Sequence, residues 1–343
     1  MISEIVNLST GPVAISPKVM NAFREPPISH RSVAFKKLYN KTTDLLSATF
    51  HVKETFLLTG SGTLANEVML QEIKCIRGKG LILSNGEFGE RLIEQARRSN
   101  LNFIMKELDW GKPFNTNDIK EIILHQSVKW ILFSHCETST GVINDLDQLI
   151  GLATSCKCLG FVDCMSTVGT MPLNLSKVAM ATASSGKGLA SVPGLAIIFS
   201  NIELSLKKES PVYIDLQHYS INAGIPFTLS SNLVKALFIS ILQKLCPGHY
   251  KLIQNYGEKF FNILNDHGFV PFSDGNTKVF TIVTSGKRKS DFYRYMKQKK
   301  ILLSNESKYL TTRGWCQLAT LGYYTENQLR FVLSAMRRYP PPI

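Results

Sequence analysis

Short apolar runs alternate with amphipathic helical patterns from Phe50 to Phe199, and this alternation constrains the fold more than any other feature of the chain. Helical patterns at Thr63–Ile76, Phe88–Arg98 and Asp145–Ser155 separate most of the runs, which are Leu81–Leu83, Asn102–Met105, Trp130–Phe133, Leu159–Val162 and Ala196–Phe199. Short runs of this kind are typical of strands buried on both faces. The pattern therefore predicts an α/β fold with a mostly parallel central sheet between helical layers.

After about residue 247 the regular alternation gives way to a mixture typical of a smaller α+β domain. The predicted elements there and just before are helices at Ser231–Leu245, Tyr250–His267, Asp291–Lys299 and Glu326–Arg337, and strands at Val279–Val283 and Trp315–Ala319. Prolines at 12, 17, 26 and 27 indicate an arm packed on the large domain. We predict an N-terminal arm (1–40), a large ligand-binding domain (41–247) and a small C-terminal domain (248–343).

Composition excludes several classes of protein. The chain has 343 residues, of which 44% are hydrophobic, enough to fill a sizeable core. It has no uninterrupted apolar run of the roughly 18 residues that a membrane span needs, and no basic flank followed by an apolar run in its first twenty residues. Its seven cysteines are scattered, which indicates neither a disulfide framework nor a zinc site. We expect a cytoplasmic protein without a membrane segment or a metal.

The chain is basic, with 39 Lys and Arg against 26 Asp and Glu, a net charge of +13. The densest basic run, Lys287–Lys289 with Lys297, Lys299 and Lys300 nearby, lies around a short amphipathic stretch and is best explained as a solvated helix face. No nucleic-acid reader motif accompanies the charge, so we expect no nucleic-acid partner. A basic surface would also attract an anionic substrate or a phosphate-bearing cofactor.

Polar residues follow two of the predicted strands, at the edge where ligands bind in open α/β sheets. Thr59–Thr63 precedes a helix and offers backbone N–H groups, hydroxyls and a helix N-terminus to a phosphate, although such sequences also serve as plain helix caps. Asp163 follows the run that ends at Val162. Its carboxylate could pair with a protonated ring nitrogen of a cofactor, or could cap a turn.

Lys187 lies in the small-residue loop Ser184–Gly188, directly after a predicted strand at Val178–Ala183. Burial and a neighbouring cation can lower the pKa of such a lysine and make it a nucleophile toward an aldehyde. A solvated loop lysine is the alternative explanation of this residue taken alone.

Five ordered motifs together resemble the class V aminotransferase family: Gly60–Thr63, Asn85–Arg91, His135–Gly141, Phe161–Ser166 and Ser184–Lys187. The likeness extends from Leu8–Pro12 nearly to the C-terminus. Within the family it is nearest to the 2-aminoethylphosphonate:pyruvate transaminases, and next to the alanine:glyoxylate and serine:pyruvate aminotransferases. The resemblance implies a pyridoxal 5′-phosphate enzyme of fold type I, acting as a homodimer with active sites at the subunit interface.

The resemblance also implies roles for individual residues. Lys187 would carry the cofactor as a Schiff base and move the proton, and Asp163 would hold the ring nitrogen. The remaining cofactor-binding residues would be Ser61, Gly62 and Thr63 on the phosphate, Phe88 stacked on the ring, Thr138 on the ring hydroxyl, Ser185 beside the lysine, and Ser231 on the phosphate of the partner subunit.

The sequence departs from the family pattern at two positions. Gly186 stands before the lysine, where relatives usually have Asn or Gln. Gln317 stands in the C-terminal strand where relatives have an arginine that binds the substrate carboxylate, and a neutral amide cannot replace a bidentate guanidinium. Arg31 and Arg313 are candidates to replace that cation. If neither does, the preferred substrate lacks an α-carboxylate or carries it in an unusual place.

The resemblance therefore predicts transamination between a small amine, similar to 2-aminoethylphosphonate, and a keto acid such as pyruvate. Two alternatives stay open: a pyridoxal-phosphate lyase or decarboxylase on the same scaffold, and a non-catalytic cofactor-binding protein. Stoichiometric dependence on a keto acid separates transamination from elimination. A nicotinamide dehydrogenase is disfavoured because no G-x-G-x-x-G sequence lies between a strand and a helix.

Overall fold

The computed structural model describes residues 5–204, 210–269, 282–284 and 289–340. The strands are β1 (Val6–Asn7), β2 (Glu54–Thr59), β3 (Gly80–Ser84), β4 (Phe103–Glu107), β5 (Trp130–Ser134), β6 (Cys136–Glu137), β7 (Val142–Ile143), β8 (Leu159–Asp163), β9 (Met180–Ser184), β10 (Leu195–Ser200), β11 (Ile282–Thr284), β12 (Ile301–Leu302) and β13 (Cys316–Leu318). The helices are α1 (Pro17–Phe23), α2 (Val33–Phe50), α3 (Gly62–Ile73), α4 (Glu87–Arg98), α5 (Thr116–His125), α6 (Leu146–Ser155), α7 (Leu216–Ile221), α8 (Ser231–Lys244), α9 (Pro247–Asp266), α10 (Lys289–Gln298), α11 (Lys308–Arg313) and α12 (Glu326–Arg337).

A seven-stranded sheet forms the centre of the molecule, in the order β2-β10-β9-β8-β5-β3-β4. β10 runs antiparallel to both of its neighbours, and the other neighbouring strands pair in parallel. The predicted mostly parallel sheet is therefore confirmed. The register aligns Ser134 with Asp163 and Asp163 with Thr182, so the carboxyl ends of β5, β8 and β9 lie level at one edge of the sheet.

Two apolar layers cover the faces of this sheet. Successive side chains of β5 enter opposite layers: Ile131 and Phe133 pack in one, Trp130 and Leu132 in the other. This alternation follows from the two-residue period of a strand. The inner strands β3, β5 and β10 are buried along their whole length and are mainly apolar, which is why their short runs were visible in the sequence.

The first helix of the sheet-containing part, α2, crosses the predicted boundary between residues 40 and 41. It begins after Ser32, whose hydroxyl accepts a hydrogen bond from the Phe35 backbone N–H at 3.1 Å. Its many threonine, asparagine and serine residues have low helix propensity. Packing outweighs that preference, because Phe35, Tyr39, Leu46 and Phe50 are all buried on its inner face. The three-part division stays a prediction, but its first boundary falls inside a continuous helix.

The N-terminal segment joins the C-terminal part of the chain as well as the large one. β1 pairs in parallel with β12, and Val6 together with Leu8, which follows β1, belongs to an apolar cluster formed mainly by α9, α10 and α12. β11 pairs with β13 in a second small sheet. Most of the strand predicted at Val279–Val283, and residues 287–288 of the basic run, lie outside the described residues.

Within the described ranges, no helix combines the length and the apolar character needed to cross a membrane. The cytoplasmic location stays a prediction.

Candidate active site

A cavity of about 340 Å³ opens at the carboxyl ends of β5, β8 and β9. Its walls come from the N-terminal segment, the start of α3, the start of α4 and the loop after β9. Seven residues that the sequence singled out line it together: Ser61, Gly62, Thr63, Phe88, Thr138, Asp163 and Lys187. Strand ends that lie far apart in the sequence meet here because the strands are parallel and in register.

Lys187 lies in the loop after β9 and extends into the cavity. Its Nζ donates a hydrogen bond to the backbone carbonyl of Thr10 at 3.1 Å. Gly11 approaches so closely that a Cβ there would lie 3.3 Å from Lys187 Cε, and its φ of +138° also favours glycine. Burial lowers the pKa of Lys187, with a further contribution from the Arg91 charge, while Asp163 opposes the shift. A lower pKa increases the fraction of neutral, nucleophilic amine.

Asp163 ends β8 and is buried at the cavity wall. Its Oδ2 accepts a hydrogen bond from Asn66 Nδ2 at 2.8 Å, and its Oδ1 accepts one from the Met165 backbone N–H at 2.9 Å. Asn66 is itself fixed by a 2.6 Å hydrogen bond from the Thr182 hydroxyl. Burial raises the pKa of Asp163, whereas these hydrogen bonds and the Lys187 charge oppose the rise. The carboxylate is thus held in one orientation and is well placed to accept a cationic N–H.

Ser61, Gly62 and Thr63 form the start of α3. Ser61 is the N-cap, and its side chain makes no capping hydrogen bond within the described structure. Gly62 lies close to Met165, because a Cβ at position 62 would lie 2.5 Å from the Met165 sulfur and would require that side chain to move. The start of a 12-residue helix presents backbone N–H groups and two nearby hydroxyls to the cavity. These are the donors that bind phosphate at helix N-termini.

The start of α4 is held by a buried carboxylate that the sequence reasoning did not assign. Glu137 accepts hydrogen bonds from the backbone N–H groups of Phe88 at 3.1 Å and Gly89 at 3.0 Å, and from the N–H and hydroxyl of Ser139. Burial raises the pKa of Glu137 to about 7, although these hydrogen bonds oppose the rise. This arrangement fixes Phe88 on the cavity wall, where its ring can stack on a planar ligand. Next to it on the wall, the Thr138 and Ser166 hydroxyls lie 2.7 Å apart.

Two predicted cofactor contacts, Ser185 and Ser231, do not line this cavity. The Ser185 hydroxyl donates to the Val192 carbonyl at 2.7 Å and accepts from the Leu195 N–H at 3.1 Å. Its neighbours Ser184 and Gly186 line the cavity instead, because alternate residues at a strand end face opposite sides. Ser231, the first residue of α8, accepts a hydrogen bond from the Ile28 N–H at 2.9 Å and lines a separate small pocket.

Gln317, where the family arginine is expected, is fully buried and does not line the cavity. Its Nε2 donates to the backbone carbonyls of Thr138 at 2.7 Å and Ser139 at 3.1 Å, and its Oε1 accepts from the Tyr309 hydroxyl at 2.7 Å. Both ends of the amide are therefore occupied by the protein. Gln317 connects β13 to the loop that carries Thr138.

The two arginines considered as replacements also lie elsewhere. The guanidinium of Arg313 lies 3.6 Å from the ring centroid of Trp110 and 5.3 Å from that of Trp315. Arg31 lines a surface pocket with His30, and neither arginine lines the cavity at the strand ends.

Arg91 is the guanidinium that does line the cavity, and the sequence reasoning gave it no role. It lies three residues after Phe88 on α4, so both side chains share one helix face. Its Cζ lies 4.9 Å from the Phe88 ring centroid, and its Nη2 donates to Glu87 Oε1 at 3.2 Å. The three-residue spacing from Phe88 was the signal in the sequence that could have identified it.

Residues 18–213 match the family described as aminotransferase class-V, and the chain belongs to this family. It is 31% identical to an uncharacterised aminotransferase of Methanocaldococcus jannaschii over 244 residues, which cover 67% of this chain and 63% of the relative. It is 24% identical to a 2-aminoethylphosphonate–pyruvate transaminase of Bacillus cereus over 235 residues, or 64% of each chain. The matches thus span less than two thirds of the length of these relatives.

Solved structures establish the same fold over nearly the whole chain. Ureidoglycine–glyoxylate aminotransferase from Bacillus subtilis superposes with a TM-score of 0.87 at 22% identity, covering 98% of this chain and 93% of that one. Alanine–glyoxylate aminotransferase from Nostoc sp. gives a TM-score of 0.86 at 21% identity, covering 98% and 96%. The fold is that of the pyridoxal-phosphate enzymes of fold type I.

Membership of this family implies pyridoxal 5′-phosphate as the cofactor, and the residues of the cavity fit it. A phosphate needs N–H and hydroxyl donors, which the start of α3 supplies. A pyridine nitrogen needs an acid, which Asp163 supplies from a fixed orientation. An aldehyde needs a neutral amine, and the lowered pKa of Lys187 favours that form.

Proposed function

We propose that this chain is a pyridoxal-phosphate-dependent transaminase that moves an amino group between a small amine and a keto acid. The observation that carries the proposal is the placement of Lys187 in one cavity with Asp163 and the start of α3. We propose 2-aminoethylphosphonate as the leading amine and pyruvate as the leading acceptor. The likeness to relatives with that named activity supports both choices. The enclosure of Gln317, which removes the expected α-carboxylate contact, supports an amine that lacks an α-carboxylate.

When bound, pyridoxal phosphate supplies an aldehyde that reacts with amines and a ring that takes up electrons. The Lys187 Nζ would attach the cofactor, and after release it would take a proton from the substrate carbon and return it to the cofactor side. The Asp163 carboxylate would keep the ring nitrogen protonated. Ser61, Gly62 and Thr63 would bind the phosphate, and Phe88 would cover one face of the ring.

We further propose that the enzyme is a homodimer in which Ser231 approaches the partner's cofactor phosphate. Large apolar side chains are exposed at Ile28 (42%), Val33 (69%) and Ile221 (61%), on two segments that adjoin because Arg31 and Asn222 line one surface pocket. Exposed apolar surface of this kind often marks a protein interface. Sedimentation should give twice the mass of the chain, and a monomer that retains the cofactor at working concentration would contradict the proposal.

The direct test of the function is borohydride reduction of the protein loaded with pyridoxal phosphate, followed by peptide mapping. The label should lie on Lys187, and a label on any other lysine contradicts the assignment. A screen of amines and keto acids, followed by the absorbance of the bound cofactor, then tests transamination. Amine consumption that requires one equivalent of keto acid supports it, whereas consumption without keto acid indicates elimination or decarboxylation.

A further inference from the structure

We propose that Arg91 binds an anionic group of the amine substrate, so that the enzyme takes short aliphatic amines that end in a phosphonate or a similar anion. This inference rests on the proposed transaminase function for the identity of the amine. The binding of an anion at Arg91 is itself independent of turnover.

The first support is the position of Arg91 relative to the reactive lysine. The Arg91 Cζ lies 4.9 Å from the Phe88 ring centroid, and the Lys187 Nζ lies 5.6 Å from the same centroid. Both side chains line one cavity. A small molecule whose amine reacts at the lysine position therefore has a guanidinium within the same enclosure.

The second support is that other candidates for an anion are already engaged or lie elsewhere. Gln317 uses both donors of its amide on backbone carbonyls. Arg313 stacks against Trp110, and Arg31 lies in a different surface pocket. Within the described residues, Arg91 and Lys187 are the Lys and Arg side chains on the cavity wall.

The third support is the weak attachment of Arg91 to the protein. Its ion pair with Glu87 joins side chains that are 45% and 30% exposed, and solvent screens such pairs strongly. A guanidinium carries five N–H donors in a planar fork, and the described residues give Arg91 one side-chain hydrogen bond, through Nη2. The remaining donors suit bidentate binding of a phosphonate or carboxylate.

The charge of Arg91 already acts on the site, because it contributes to the lowered pKa of Lys187 and opposes the raised pKa of Asp163. An anion bound at Arg91 would offset that charge. Substrate binding would then raise the proton affinity of the Lys187 amine, which is the direction that helps it to take up a proton.

The experiment measures binding of ethylphosphonate, which has the anion but no amine, to the protein loaded with pyridoxal phosphate. Titration calorimetry would compare wild type with Arg91→Gln, Arg91→Lys and Arg98→Gln. Arg98 is the matched control, because it lies on the same helix and pairs with Glu94 at the same four-residue spacing. Propanamide, a neutral molecule of similar size, controls for contacts that do not involve charge.

We expect Arg91→Gln to weaken ethylphosphonate binding by about 10- to 150-fold, the range for hydrogen bonds to a charged group. Arg91→Lys should lose less, because the charge stays but the fork does not, and Arg98→Gln should match wild type. Equal binding by wild type and Arg91→Gln, or no binding by wild type, overturns the inference. So does a loss of affinity for pyridoxal phosphate alone, which would assign Arg91 to the cofactor.

The same variants separate this inference from the proposed function. If ethylphosphonate binding depends on Arg91 but no amine is consumed with any keto acid, Arg91 is an anion site and the transaminase proposal fails. If 2-aminoethylphosphonate is consumed equally well by wild type and Arg91→Gln, the transaminase proposal stands and the role of Arg91 is refuted.

Discussion

Among the residues that the structure describes, Lys187 and Lys244 are lysines whose pKa is lowered by burial, and of these two Lys187 faces the cavity at the strand ends. Lys187 donates to a single carbonyl, that of Thr10, and faces the cavity that holds Asp163. Lys244, near the end of α8, is fully buried and donates to the carbonyls of Leu321 at 2.9 Å and Gly322 at 2.8 Å. Burial lowers the pKa of Lys244 well below its ordinary range.

The difference shows that a lowered pKa is not by itself a sign of a reactive lysine. Lys244 connects α8 to the segment after β13, so its hydrogen bonds hold two parts of the chain together. We propose Lys187 as the reactive lysine because one side of it is open to a ligand and Asp163 lies on the wall of the same cavity. Replacement of the fully buried Lys244 should therefore change stability, and replacement of Lys187 on the cavity wall should change activity.

Replacement of Lys187 should give the largest effect on activity. Lys187→Ala should abolish borohydride labelling and slow amine consumption by at least about 10²-fold, the low end for loss of a group that transfers a proton. Its unfolding free energy should change little, about 1 kcal/mol, because one hydrogen bond is lost. Urea denaturation and cofactor absorbance measure the two properties separately.

Replacement of Lys244 should have the opposite result, a loss of stability without a loss of labelling. Lys244→Met should lower the unfolding free energy by about 1–3 kcal/mol, because two buried carbonyls lose their donor. Labelling of Lys187 should be unchanged. A more stable Lys244→Met protein would mean that the cost of burying the ammonium exceeds its hydrogen bonds, and would contradict the structural role assigned here.

A smaller, pH-dependent effect should come from Glu137, which is sealed beneath the cavity wall. Burial raises its pKa from an ordinary value of 4.5 to about 7, so the folded chain binds this proton more tightly than the unfolded chain does. The resulting stability is complete below pH 4.5 and is lost as the pH rises toward 7. Relative to Glu137→Gln, the wild type should lose up to about 3 kcal/mol of unfolding free energy across this interval.

Urea titrations at several pH values measure this difference. Glu94→Gln is the control, because Glu94 is exposed on α4 and pairs with Arg98. Parallel pH profiles for wild type and Glu137→Gln would show that the buried carboxyl does not titrate in this range.

The sequence predicted the sheet and one wall of the site because both depend on local patterns. Buried parallel strands are short apolar runs, and Asp163 and Lys187 directly follow two of them. Glycine and serine before a helical pattern marked the start of α3. Each of these patterns involves only a few neighbouring residues, so it can be recognised without knowledge of the tertiary structure.

The remaining details depend on contacts between distant parts of the chain. Gln317 donates hydrogen bonds to Thr138 and Ser139, which lie slightly more than half the chain away, and no local pattern reveals this. The sequence did not predict helix α2, because polar residues are interspersed among the apolar ones that pack on the core. The role of Ser231 depends on a second subunit, and stays a prediction.

The segment from Val6 to Thr10 has a further consequence for the site. On one side it is tied to the C-terminal part of the chain, through β12 and a hydrogen bond from the Thr10 N–H to the Ser304 hydroxyl at 2.9 Å. On the other side the Thr10 carbonyl accepts from the reactive amine. The packing of this segment against the protein and the protonation of Lys187 are therefore thermodynamically linked. Protonation changes the free energy of packing by the same amount as packing changes the free energy of protonation. Through this segment the C-terminal part of the chain is coupled to the Lys187 amine although it lies outside the cavity.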